Sequence, residues 1–142
     1  VFTVAGRALA ADIRHTREVV VLPDRTAVPR APAHVLGVAN LRGHVVPIVD
    51  IGHLFGLAPR PPGEAFRTIV LEGAGVQVAV AMDEVLGLEA FDDVLPVGEG
   101  AEGPDGPPVL GLLRRGDGMA TLLDVPGLVE AVRVRPPGRS DA

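Results

Sequence analysis

The chain of 142 residues has no cysteine, lysine, tryptophan or tyrosine, and only four phenylalanines. Without cysteine there are no disulfides, no thiolate metal ligands and no cysteine nucleophile. Without lysine there is neither a Schiff-base amine nor the lysine of a phosphate-binding P-loop. All 13 basic residues are arginine, and the formal net charge is −5. A basic face and stacking aromatics, the usual marks of a nucleic-acid binder, are both missing. No apolar run approaches the roughly 20 residues of a membrane-spanning helix. No secretory leader is recognisable. The chain opens at Val1 inside a strand-like stretch, as a segment cut from a longer protein would.

What is present points to an all-β fold. Hydrophobic residues make up 47% of the chain, too many for a disordered segment. With so few aromatics the core must be built from Val, Leu, Ile and Ala. That valine content, with 18 Gly and 14 Pro, favours short strands and many turns. The length suits a single domain with one or two adjoining cores.

The segment from Val35 to Gly56 organises the rest. Val35 to Leu41 reads as a buried strand, Asn40-Leu41-Arg42-Gly43 as a turn, and Val45 to Val49 as a second strand restricted by Pro47. Asp50 is placed to cap a short helix over Ile51 to Leu54, and Gly56 to close it in a left-handed conformation. The same plan recurs 74 residues later. Val109-Leu110-Gly111-Leu112 matches Val35-Leu36-Gly37-Val38, Met119 to Leu123 matches Val45 to Val49, and Asp124 matches Asp50. A fainter echo joins Leu9 to Val19 with Val76 to Val85, aligning Glu18-Val19 with Glu84-Val85. The chain therefore reads as two similar halves, divided near residues 66 and 67. Arg42-Gly43 falls on Gly116-Asp117, so Arg42 stands in one half only.

Elsewhere, strands are expected at Val1–Val4, Leu9–Ile13, Thr68–Leu71, Val76–Val80 and Val94–Val97. His15 to Val21 reads as a short helix or irregular edge, and Val28 to Pro32 as an extended linker. Gly98 to Pro108 is an acidic loop, and Pro136 to Ala142 a disordered tail.

Little in the chain suggests chemistry. His15, His34, His44 and His53 include no pair at the helical i, i+4 spacing of a zinc site. Asp50 and His53 could share a helix face, but a cap and a solvated imidazole account for them better. Two hydrophobic-Asp segments in repeated halves invite comparison with the paired carboxylates of aspartic proteases. Those sites follow each Asp with a small polar residue and Gly, whereas Asp50 precedes Ile51-Gly52 and Asp124 precedes Val125-Pro126. Arg42 admits two readings, an ion pair that fixes the turn or a docking residue for a partner.

The run Gly37-Val38-Ala39-Asn40-Leu41-Arg42-Gly43, then Val45-Val46-Pro47-Ile48-Val49-Asp50-Ile51, resembles the hallmark of CheW-like domains. The resemblance extends to Phe2-Thr3-Val4, Val80-Ala81-Met82-Asp83-Glu84-Val85 and Leu122-Leu123-Asp124. It implies two SH3-like five-stranded β-barrels packed side by side, with a few short helices and strands exchanged near their boundary. One domain would then span 1–135, with a first barrel at about 14–66 and a second at about 67–135 plus the N-terminal strand. The family joins the cytoplasmic tip of methyl-accepting chemoreceptors to the histidine kinase CheA, without catalysis, cofactor, metal, nucleic acid or membrane insertion. Its members are cytoplasmic, at membrane-associated receptor arrays, and self-association through the barrels is a further expectation. Carried over by position, Arg42, Asn40, Val38, Val35 and Glu18 are candidates for receptor binding, with Glu18 expected to approach Arg42. Val85, Leu86 and Leu88 are candidates for the aliphatic kinase-binding surface, and Asp50, Asp124, Gly43 and Gly56 for caps and turns. Two departures are visible: Gly52-His53 replaces an arginine common after the Asp-Leu pair, and Leu9 replaces the usual aromatic. A CheW-like regulatory domain of a CheA kinase, or of a CheW–receiver fusion, fits the same residues. An aspartyl or metal-dependent hydrolase is the reading from a different class.

Overall fold

The computed structural model describes residues 1–22, 35–56, 66–96 and 108–132. The expected linker at 28–32, the loop between the halves, the acidic loop up to residue 107, His34 and the tail lie outside the described residues. The elements are β1 (Phe2–Val4), β2 (Arg7–Ala10), β3 (Thr16–Leu22), β4 (Val35–Leu41), β5 (His44–Val49), α1 (Ile51–Leu54), β6 (Phe66–Gly73), β7 (Val76–Met82), β8 (Glu84–Val85), β9 (Val109–Arg115), β10 (Gly118–Leu123) and α2 (Val125–Val132). The repeat is visible in these bounds. A shift of 74 residues carries β4 onto β9, β5 onto β10, and the start of α1 onto the start of α2.

The strands form two five-stranded sheets, one in the order β8-β1-β2-β10-β9 (barrel A) and the other in the order β3-β6-β7-β5-β4 (barrel B). Each has one parallel pair, β10 with β2 in barrel A and β5 with β7 in barrel B. The architecture is the expected SH3-like one, but neither strand ladder closes on itself. The N-terminal strand joins the second barrel as expected, but the end of the first barrel differs. The β6–β7 hairpin, from the second half, is built into barrel B between β3 and β5. The β1–β2 hairpin, from the first half, is built into barrel A between β8 and β10. Each half thus lends its hairpin to the other half's barrel, and barrel B does not end at residue 66. Local pattern could not reveal this, because the two hairpins carry the same Ala-Gly turn: Ala5-Gly6 and Ala74-Gly75 all have positive φ.

One local expectation is also corrected and another is resolved. The fainter echo is out of register: Val85 lies opposite Phe2 as Thr16 lies opposite Leu71, so Glu84-Val85 corresponds to His15-Thr16 and not to Glu18-Val19. Of the two readings of His15 to Val21, the irregular edge is the one found: after a 3-10 turn, Ile13–His15, the stretch runs in edge strand β3, with a register shift between Thr16 and Glu18. Asp12 ends the preceding strand early by capping that turn, its Oδ1 accepting from the Arg14 N–H at 2.9 Å. Thr16 and the run Val19 to Val21 then favour extended backbone.

Strand alternation sorts the core into three. Ala39, Val46, Ile48, Val70, Ala79 and Ala81 fill barrel B. Ala10, Leu113 and Ala120 fill barrel A, with Ala8, Phe91 and Leu122 partly buried against them. The largest cluster lies between the sheets and draws on both: Phe2, Val4 and Leu9 from barrel A, and Ile69, Leu71, Val78, Val80 and Met82 from barrel B. Alanines suit the narrow barrel interiors, and the larger side chains go to the seam. Gly73 lets α2 lie against β6 across that seam, since a Cβ there would stand 3.1 Å from the Pro126 Cα.

Candidate functional site

The β4–β5 hairpin turns on two residues, Arg42 and Gly43, with φ of +52° and +86°. That is the geometry of a tight turn matched to strand twist. Asn40 supports the turn with its side chain, its Oδ1 accepting from the Gly43 N–H at 2.9 Å. From this turn Arg42 reaches Glu18 on β3, the opposite edge of the same sheet. Its Nη2 donates to Glu18 Oε1 at 2.7 Å, and Nη1 donates to Oε2. The guanidinium is 71% exposed and the carboxylate 24%. The pair expected from sequence therefore forms, as a clasp between an exposed arginine and a half-buried glutamate. The hydrogen bond and charge of Glu18 raise the Arg42 pKa further above its usual value, so Arg42 is charged at every pH at which proteins fold.

The clasp belongs to the mouth of barrel B. Glu18 lies opposite Val70, a residue of that barrel's core, whereas Val19 lies opposite Ile69, a residue of the seam core. The side chains of β3 that continue the seam face into solvent are the exposed Val19 and Val21. Among the other residues singled out for receptor binding, Asn40 is exposed and Val38 half-buried. Val35 is only 8% exposed, a core position.

A second clasp, absent from the sequence reading, holds barrel A. Arg115, at the end of β9, donates from Nε to Glu89 Oε2 at 2.7 Å. Glu89 follows β8, so this pair again joins the two edges of one sheet. Arg115 ends β9 at the position that matches Leu41, and Gly116 matches Arg42, so Arg42 keeps its place in one half alone while barrel A makes its own pair from a different position. The Val85, Leu86 and Leu88 side chains all stand in solvent, Leu88 at 79% exposure. Of the strand expected at Val94–Val97, the described residues 94–96 form one bridge, in which Leu95 and Leu112 exchange backbone hydrogen bonds of 2.8 and 2.9 Å. Under this segment lies a groove of about 580 Å3, lined by Ala10, Ile13, Leu88, Phe91, Val94 and Leu113 among others.

The two aspartates act as caps. Asp50, buried, accepts from the Gly52 N–H at 3.1 Å, and Asp124 accepts from the Gly127 N–H at 3.2 Å. Each carboxylate is engaged by the N-terminus of its own helix, the arrangement expected of helix caps rather than of a shared-proton pair. Gly56 has the left-handed φ of +72° expected at the end of α1. His15 donates from Nδ1 to the Glu72 carbonyl oxygen at 3.0 Å, and His44 is exposed at the start of β5.

The family model for the CheW-like domain matches residues 1–133. The chain belongs to the CheW-like domain family. A protein named chemotaxis protein CheW from Rhizobium meliloti is 35% identical over 100 residues, 69% of this chain and 59% of that one. Its namesake from Thermotoga maritima is 27% identical over 135 residues, 94% of this chain and 88% of that one. The crystal structure of scaffolding protein TtCheW from Thermoanaerobacter tengcongensis superposes with a TM-score of 0.78 at 27% identity, covering 92% of this chain and 90% of that one. Against the rhizobial relatives the CheW-like chain spans less than two thirds of the full length, 58% for Rhizobium etli and 59% for Rhizobium meliloti. Among the described residues, no helix is long and apolar enough to cross a membrane.

Proposed function

We propose that this CheW-like chain is a non-enzymatic adaptor of chemosensory signal transduction, coupling methyl-accepting chemoreceptors to the histidine kinase CheA at membrane-associated arrays in the cytoplasm. The observation that carries the reading is the clasp: a fully charged, 71% exposed guanidinium held by Glu18 at a turn in the family's most distinctive sequence. Arg42, Asn40 and Val38 form the receptor-facing surface, with Glu18 setting the direction of Arg42. Val85, Leu86 and Leu88 form the surface that pairs with the kinase's own CheW-like regulatory domain. Burial of these aliphatic side chains supplies affinity, and the polar groups set register. The same surfaces would serve inside a CheA kinase or a CheW–receiver fusion, and the coding sequence on either side separates those cases.

The test uses a reconstituted receptor–kinase array. Arg42→Ala is expected to leave the fold intact, since exposed ion pairs contribute at most about 1 kcal/mol. It is expected to weaken receptor-dependent control of kinase activity. Full control by this variant would count against Arg42 as a receptor contact. Failure of the wild-type chain to retain a CheA regulatory domain in a pull-down would remove the adaptor reading itself.

A further inference from the structure

The seam between the barrels is closed differently at its two ends. Each helix leaves one barrel and packs against a hairpin of the other. At the α2 end the closure is apolar. Gly73 of β6 admits the Pro126 backbone, Val129 is buried in the seam core, and Val76 packs against the same core. At the α1 end the helix is a single turn. Counted from the shared Ala-Gly hairpin turns, Arg7 takes the place of Val76, and the 74-residue repeat puts Phe55 in the place of Val129. Phe55 is half-buried against the seam core, and the guanidinium carbon of the exposed Arg7 lies 4.7 Å from the centre of its ring. Arg7 stands opposite Val4, on the face of the β1–β2 hairpin that supplies Val4 and Leu9 to the seam. One end is thus shut by buried valines and the other by a cation on a ring, which contributes less than burying two valines.

The docking surfaces proposed above lie on opposite sides of this seam. Arg42, Asn40 and Val38 belong to barrel B, whereas Val85, Leu86 and Leu88 belong to β8 of barrel A and the segment that leaves it. Any influence passing through the chain from one set to the other crosses the seam. We propose that Arg7 and Phe55 form a latch between the barrels: the stack holds the α1 end of the seam shut, the α2 end is the pivot, and the latched arrangement couples the receptor-facing surface to the kinase-facing one. Both are positioning residues, acting through the orientation of the barrels rather than by touching a partner. The coupling role rests on the adaptor reading; the latch itself does not.

The chain has no cysteine of its own, so a single thiol can report on each end of the seam. Val4→Cys, buried opposite Arg7, reports on the latched end, and Val129→Cys, buried on α2, reports on the pivot. The rate of reaction with a soluble disulfide reagent is measured for each thiol, alone and with Arg7→Gln or Arg7→Lys. Arg7→Gln is expected to speed the Val4→Cys thiol about twofold to fivefold, the range an exposed cation–π contact supplies, and to leave the Val129→Cys thiol unchanged. Arg7→Lys, which keeps the cation, should stay near the starting rate. In a Phe55→Leu background Arg7→Gln should add nothing further. Equal acceleration of both thiols, or acceleration of neither, overturns the latch. With Val4 and Val129 restored, Arg7→Gln should keep its affinity for a CheA regulatory domain but show about twofold weaker receptor-dependent kinase control in the reconstituted array. Lost affinity would make Arg7 a contact residue and overturn the positioning role, and undiminished control would overturn the coupling role. A wild-type chain without receptor-dependent control removes the adaptor reading, and the thiol rates then still decide the latch.

Discussion

Arg42 occupies a backbone conformation, φ +52°, that glycine adopts freely and other L-residues adopt at a cost of about 1 kcal/mol. Its side chain recovers part of that through Glu18. Backbone and side chain can therefore be separated by substitution. Arg42→Gly is expected to match or exceed the wild-type Tm while losing receptor-dependent kinase control, whereas Arg42→Ala loses control with a small drop in Tm. Thermal unfolding beside the array assay distinguishes the two. Glu72 gives a pH prediction. Arg17 first, through a bidentate pair of 2.9 and 3.0 Å, and then Gln77 hold its carboxyl below the usual range. In the unfolded chain it titrates near about 4.3. Its stabilisation is complete above that pH and is lost as pH falls through the lower folded value. Asp12, held down to about 2 by its hydrogen bonds from Arg14, acts in the same acid window. The Tm of Glu72→Gln should fall less steeply than that of the wild type below about pH 4. Of the two clasps, Glu18–Arg42 was legible through the family motif. Glu89–Arg115 was not, because Arg115 ends β9 where Leu41 stands in the first copy, so the repeat does not point to it.

At the scale of elements, close approach fixes what the turns and caps begin. Gly111 lies under the segment that bridges to β9: a Cβ there would stand 2.5 Å from the Leu95 carbonyl oxygen and would also strike the Val94 side chain. Gly111→Ala must displace that segment, at a cost of about 1–3 kcal/mol. Hydrogen exchange should show protection lost at Leu95 and Leu112, with β1 and β2 unchanged. Retained protection at Leu95 would mean that the strand yields instead. Hairpins and capped helices were legible in the sequence because their signals are local: Asp before the helix, Gly after it, and apolar runs on either side of a two-residue turn. Strand β3 was not, since its polar start and its exposed Arg17, Val19 and Val21 give no clean alternation of polar and apolar side chains. It is a strand because β6 pairs with it along its length.

At the scale of the molecule, the exchange of hairpins makes the two barrels interdependent. Phe2, Val4 and Leu9 complete a core whose remaining members come largely from beyond residue 48, and Ile69, Leu71 and Val78 complete a sheet that begins at residue 16. A half of fewer than 70 residues lacking its hairpin has too little core to fold alone. Fragments 1–56 and 66–132 should each give poorly dispersed amide spectra. Mixed in equal amounts, they should give the spectrum of the whole chain and one cooperative unfolding transition. Either fragment folding alone would contradict the exchange. The tandem origin of the halves could be read from residues 74 apart, but which hairpin enters which barrel is decided by pairing over long separations and leaves no local trace. A consequence reaches the gene. Barrel A is coded on both sides of barrel B, whose strands run without interruption from residue 16 to residue 82. A late start therefore takes only β1 and β2 and a premature stop only β8 to β10, so shortening the gene from one end leaves part of barrel A stranded beside its neighbour, and removing that barrel cleanly needs two cuts.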